Sequence, residues 1–156
     1  MNDLEIIKGL KETECSCEKC QKMCKEPCCP TPDEVEKLIE AGYSNRFSLD
    51  DWDCDVNPNP MIKPALKGYE QYRAPFETKT EEGCTFWKEG KCELHDTGLK
   101  PMHAKYSHHS TLADLEVYEK LKKWIKESWG TEKATKLIET YKEKFHKGVN
   151  EDVYEI

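Results

Sequence analysis

Hydrophobic periodicity is clearest in three stretches. Thr31-Pro32-Asp33-Glu34 supplies an N-capping threonine, a proline at the first helical position and an acid three residues past the cap. Val35, Leu38 and Ile39 then recur on one face, and Gly42 stops the helix. Further on, Thr111 and Asp114 form a second capping box for a helix bearing Leu112, Leu115, Tyr118, Leu121 and Ile125. Trp124 and Trp129 widen that stripe before Gly130. Thr131 caps a third helix carrying Ala134, Leu137, Ile138, Tyr141 and Phe145, with Gly148 after its end. The very short link makes the last two an αα-hairpin. Their stripes read first as core packing, and alternatively as a docking surface for a protein partner.

Other stretches lack this period. Residues 50–60, DDWDCDVNPNP, carry too many turn formers for regular structure, and 61–82 fit neither template. Gly83 to His95 reads as a β-hairpin. A three-residue loop, Lys88-Glu89-Gly90, sets Phe86 opposite Cys92 and Cys84 opposite Leu94, with both cysteines on one side. A two-residue loop sets Cys84 opposite His95 instead.

Composition changes this picture. With 37% hydrophobic and 35% charged residues and a mean hydropathy of −0.88, a conventional core is thin for 156 residues. Nine cysteines are the obvious supplement: six lie between Cys15 and Cys29, followed by Cys54, Cys84 and Cys92. The net charge of −7, with no block of like charge, argues against nucleic acid or an anionic membrane as partner. A local basic face on the C-terminal helices is compatible with it. The first ten residues lack the basic and apolar parts of a secretory signal, and no apolar run approaches the roughly 20 residues of a membrane span. The expectation is a cytoplasmic protein with reduced thiols, and an odd cysteine count agrees.

Dense, short-spaced thiols point to a soft transition metal. Cys17 and Cys20 stand at an interval that lets one loop present two sulfurs to one ion, and zinc takes four donors at about 2.3 Å. Cys24, Cys28, Cys29, Cys84 and Cys92 extend the donor set, and His95 follows Cys92 at a ligand interval. Adjacent Cys28 and Cys29 more naturally serve two centres, or one serves the metal while the other packs. The helix starting after Cys29 would turn its positive end towards the thiolates. Two readings compete with metal: a disulfide scaffold, and a redox or nucleophilic thiol at Cys17-x2-Cys20. The spacings of radical enzymes and ferredoxins are absent. Cys54 reads as a free or packed thiol, with ligation as the alternative.

Cys20, Cys24, Cys28 and Cys29 before a Pro-led helix, Gly83-Cys84-Thr85-Phe86, Gly90-Lys91-Cys92 and Lys100-Pro101 occur in an order that resembles the CxxCxxCC cysteine-cluster family of zinc- or iron-chelating domains. The likeness spans about residues 15–106 and leaves the helical tail aside. The gaps in the first motif are one residue longer than in that family. The family's cysteine three residues after the Lys-Pro pair is replaced by Ala104, so His103, His95, His108 or His109 is a candidate substitute. The resemblance implies metal chelation and no particular reaction.

The expected fold is α+β, mainly helical with a small β-hairpin. A metal-stapled, loop-rich region at 1–109 would carry the αα-hairpin of 110–156 packed on it as a single compact domain. No Ser-His-Asp order, phosphate-cradling glycine loop or HExxH helix marks an enzyme. A structural or binding role for zinc or iron therefore leads. An iron–sulfur redox protein or metal-dependent enzyme comes second, and a metal carrier or store third.

Overall fold

A computed structural model describes residues 18–51, 59–75, 82–95, 97–106 and 115–148. Its first element, helix α1 (Glu18–Lys25), lies inside the cysteine-rich run, where the sequence reading expected a ligand loop. The signal was present: Cys20, Met23 and Cys24 stand at i, i+3 and i+4, a helical stripe once cysteine is counted as apolar. Helix α2 (Pro32–Glu40) forms where its caps predict. Thr31 Oγ accepts the Glu34 N–H at 3.3 Å, while Glu34 Oε1 accepts the Thr31 N–H at 2.9 Å. Val35 and Leu38 are fully buried, and the chain leaves through Gly42 at φ +99°.

A 3-10 turn (Ser44–Arg46) leads into strand β1 (Phe47–Asp50), which pairs antiparallel with β2 (Met61–Pro64), Phe47 opposite Pro64 and Asp50 opposite Met61. The ambiguity over 61–82 ends in a strand at Met61–Pro64, with 76–81 outside the described residues, and Asp50 ends a strand rather than opening a loop. All eight residues are buried. Phe47-Ser48-Leu49-Asp50 does alternate apolar and polar, but over only four residues, and Met61-Ile62-Lys63-Pro64 does not, so the period-2 signal was too short to mark the pair. The covering is reinforced by the buried ion pair Lys63–Asp50 at 2.9 Å.

The hairpin exists in a shorter form. Strands β3 (Trp87–Lys88) and β4 (Lys91–Cys92) pair Trp87 with Cys92 across a two-residue loop, Glu89-Gly90, at φ +50° and +85°. This corrects the three-residue-loop register: positive φ at both loop residues matches the right-handed twist of the strands. The ladder runs back only to Glu93 N–H donating to Phe86 O. The Trp87 N–H then turns back to Cys84 O at 2.9 Å, so Cys84 bridges Leu66 instead of facing Leu94 or His95.

Helix α3 (Met102–Tyr106) is followed by α4 (Leu115–Ser128) and α5 (Glu132–Lys144), the expected hairpin. Its Thr111–Asp114 box lies outside the described residues. Leu121, Ile125, Trp129, Ala134, Ile138 and Tyr141 are buried in one cluster with Val35, Leu38, Phe47 and Ile62. The two stripes are therefore core, at about 1.5–3 kcal/mol for each large side chain buried. Two hydrogen bonds rivet the helical pair in place: Tyr141 Oη donates to Phe47 O at 3.0 Å, and Trp129 Nε1 to Pro30 O at 2.8 Å. The second lies one residue beyond Cys29. Among the described residues no helix is long and apolar enough to cross a membrane.

Candidate metal centre

Helix α1 ends against the start of the hairpin segment. The Cys84 N–H donates to Lys25 O at 2.7 Å, and α1 packs against β4. Gly83 permits that approach: at φ +75°, a Cβ there would lie 3.1 Å from Lys25 Cβ and 3.2 Å from Lys25 O. The Lys25 ammonium rests over the Trp87 ring, 4.7 Å from its centroid, closing the joint from the other side. Positions 20 and 24 are one turn apart on this docked helix; their side chains, with the whole of Cys15, Cys17, Cys54, His108 and His109, lie outside the description.

Cys28 sits where the chain leaves α1 and heads for α2. Burial holds its thiol well above the ordinary range, and the neighbouring Cys84, Cys29 and Cys92 push it in the same direction. These cysteines come from two distant stretches that meet where the Cys84 N–H donates to Lys25 O. Glu34, in the first turn of α2, adds to the upward push. The expected benefit of the helix's positive end is thus offset by its own capping acid. Cys28, Cys29, Cys84 and Cys92 are thiols rather than disulfides.

The donor set fits a soft cation. Burial and mutual repulsion disfavour thiolates here, whereas a transition-metal ion supplies the missing positive charge and binds the deprotonated form. Among the described residues, no three His, Cys, Asp or Glu side chains by themselves form a group that holds an ion. The cysteines of α1 would have to complete it.

Cys29 looks elsewhere. It lines a cavity of about 190 Å3 together with Lys63, His103, Lys122 and Lys126. Burial raises its thiol, and Lys63 opposes that shift most strongly. Cys29 thus lies beside lysines and Asp50, in a cavity that neither Cys84 nor Cys92 lines.

His103 belongs to this second environment. The Cys29 N–H donates to its Nδ1 at 2.7 Å, and its Nε2 lies 2.9 Å from Tyr118 Oη. An Nδ1 that accepts leaves the proton on Nε2, which donates to the tyrosine. Part of the residue reaches the surface, yet both ring nitrogens are engaged by protein. Burial, with Lys122 and Lys63, lowers its pKa to about 4 and keeps it neutral. The ring positions the Cys29 backbone, a role not evident from its place beside Ala104. His95 is half-buried in the turn after Cys92, its N–H bonded to Cys92 O at 3.1 Å and its Nδ1 3.4 Å from the buried Lys100 ammonium. Coordination through that nitrogen would have to displace the lysine.

Two contributors were missed in the sequence. Glu34 also accepts the Met102 N–H at 2.7 Å through Oε2, tying α3 to α2. Nothing in the sequence signals that contact. Lys122 and Lys126, four apart on α4, are the local basic face whose existence the net charge left open. Comparisons with models of known families, with curated proteins and with solved structures return no match, so the likeness to cysteine-cluster domains rests on the residues quoted for it.

Proposed function

We propose that this chain is a transition-metal-binding protein in which clustered cysteines, drawn from Cys20, Cys24, Cys28, Cys84 and Cys92, take zinc or iron in a structural role. Support comes from the docking of α1 on the hairpin segment, where the Cys84 N–H meets Lys25 O, so that the early cysteine run abuts the stretch holding Cys84 and Cys92. Cys17 and His95 remain candidate ligands in this proposal. The resemblance to the CxxCxxCC family points the same way, and a reducing compartment such as the cytoplasm would keep the thiols available. Metal would tie two segments into one unit whose local secondary structure is slight. Structural zinc is worth about 10–16 kcal/mol in small modules, comparable with the roughly 5–15 kcal/mol that stabilises a whole domain.

Elemental analysis of the full chain purified without oxygen tests this reading. It predicts at least one zinc or iron per chain, and a clear loss of metal in the Cys28→Ser and Cys84→Ser variants. A colourless zinc protein supports the structural role; broad absorption near about 400 nm transfers the reading to an iron–sulfur centre. Metal surrendered to mild chelators with the fold intact would favour a carrier. Metal-free protein with the variants indistinguishable from wild type removes the proposal.

A further inference from the structure

The cavity beside Cys29 has a chemistry of its own. Its cationic wall comes from Lys122 and Lys126, and its apolar wall from Met61 of β2 and Ile125 of α4. Lys63, also at the cavity, is already neutralised by Asp50 at 2.9 Å. Among the described residues, no carboxylate pairs with Lys122 or Lys126; the Lys122 ammonium stands 5.5 Å from the Tyr118 ring centroid. Lys122 and Lys126, one helical turn apart, thus line a cavity whose one described carboxylate, Asp50, is paired with Lys63, in a chain of net charge −7. On such an acidic molecule this local excess of positive charge favours an anionic ligand at the cavity.

Size and polarity narrow the ligand. A volume of about 190 Å3 equals that of about six liquid waters, well below a drug-sized pocket, and suits a molecule of roughly six to nine heavy atoms. An inorganic oxyanion would satisfy the lysines and leave Met61 and Ile125 against a hydrated ion. A short organic acid satisfies both walls. We propose that the cavity between the β1–β2 pair and α4 binds a small organic carboxylate, its carboxylate held by Lys122 and Lys126 and its apolar body lying on Met61 and Ile125. Cys29 and His103 form the wall adjoining the bound acid. The site is built largely from elements other than those assigned to the metal, so it stands or falls separately from the metal reading.

The test is titration of the full chain, as purified under reducing conditions, with butyrate, followed by amide NMR shifts. Saturable binding that perturbs the Met61 and Ile125 amides is expected. Replacing Lys122 and Lys126 together by alanine should weaken it at least about tenfold, and the neutral isostere butyramide should bind at least about tenfold more weakly to the unaltered protein. Should the double variant lose its fold, Lys126→Gln alone is expected to weaken binding measurably. Any of four results overturns the proposal: no saturation below about 20 mM, shifts confined to other parts of the chain, butyramide binding as well as butyrate, or inorganic phosphate displacing butyrate as effectively as a second carboxylate.

Discussion

At the scale of single residues, His103 shows how far spacing can mislead. Its position beside Ala104 made it a candidate ligand, but its ring accepts the Cys29 N–H and contacts Tyr118. Sequence distance could not reveal this, because the partners are 74 and 15 residues away. His103→Ala removes the acceptor of the Cys29 N–H and should cost about 1–3 kcal/mol if water cannot reach that donor, read by urea denaturation at pH 7. Acid adds a second signature. The imidazole titrates near 6.5 when unfolded and near 4 when folded, so between these values the unfolded chain holds the extra proton. Stability from this group is complete above pH 6.5 and falls as the pH drops towards 4, by roughly 1.4 kcal/mol per unit at most. Denaturation midpoints measured across that window should fall less steeply in His103→Ala than in wild type. Parallel slopes would show that the ring does not titrate in this way.

Among the elements, legibility followed local chemistry. Helix α2 and the final helical pair were readable because caps and apolar stripes act within a few residues. The β1–β2 pair was not readable, because the alternation of β1 spans only four residues beside a turn-rich stretch, and β2 holds a lysine whose partner is a distant aspartate. Helix α1 was obscured by treating its cysteines purely as ligands. Its docking depends on Gly83, which gives a matched test. Gly83 and Gly98 have similar positive φ, +75° and +80°, but a Cβ at Gly83 meets Lys25 while one at Gly98 meets nothing within 4 Å. Both alanine variants should pay backbone strain of about 1–2 kcal/mol. Gly83→Ala should lose more stability than Gly98→Ala and should also bind metal more weakly, by denaturation and competitive chelation. Equal losses with unchanged metal affinity would mean that the Lys25–Cys84 junction does not organise the cysteines.

For the molecule as a whole, the apolar core is the framework beside which the proposed metal site would form. The cluster running from Val35 through Phe47 to Tyr141 holds α2, the β1–β2 pair and the αα-hairpin together, with Trp129 anchored on Pro30. That α+β arrangement was legible in outline. Of the candidate site, the sequence singled out Cys28, Cys29, Cys84 and Cys92 as donors, but nothing in it signalled the lysines that share a cavity with Cys29. Complete removal of metal by chelation should reduce helical circular dichroism and broaden or abolish the cooperative thermal transition, because metal-binding energy is then folding energy. An unchanged transition in stripped protein would assign the metal a transported or catalytic role.

X-ray absorption at the zinc or iron edge, on the anaerobically purified chain, interrogates the proposed sulfur convergence most directly. Three or four sulfur scatterers at about 2.3 Å, reduced in number when Cys28 and Cys84 are replaced by serine, are the predicted result. A shell of nitrogen and oxygen alone, indifferent to those substitutions, would contradict it.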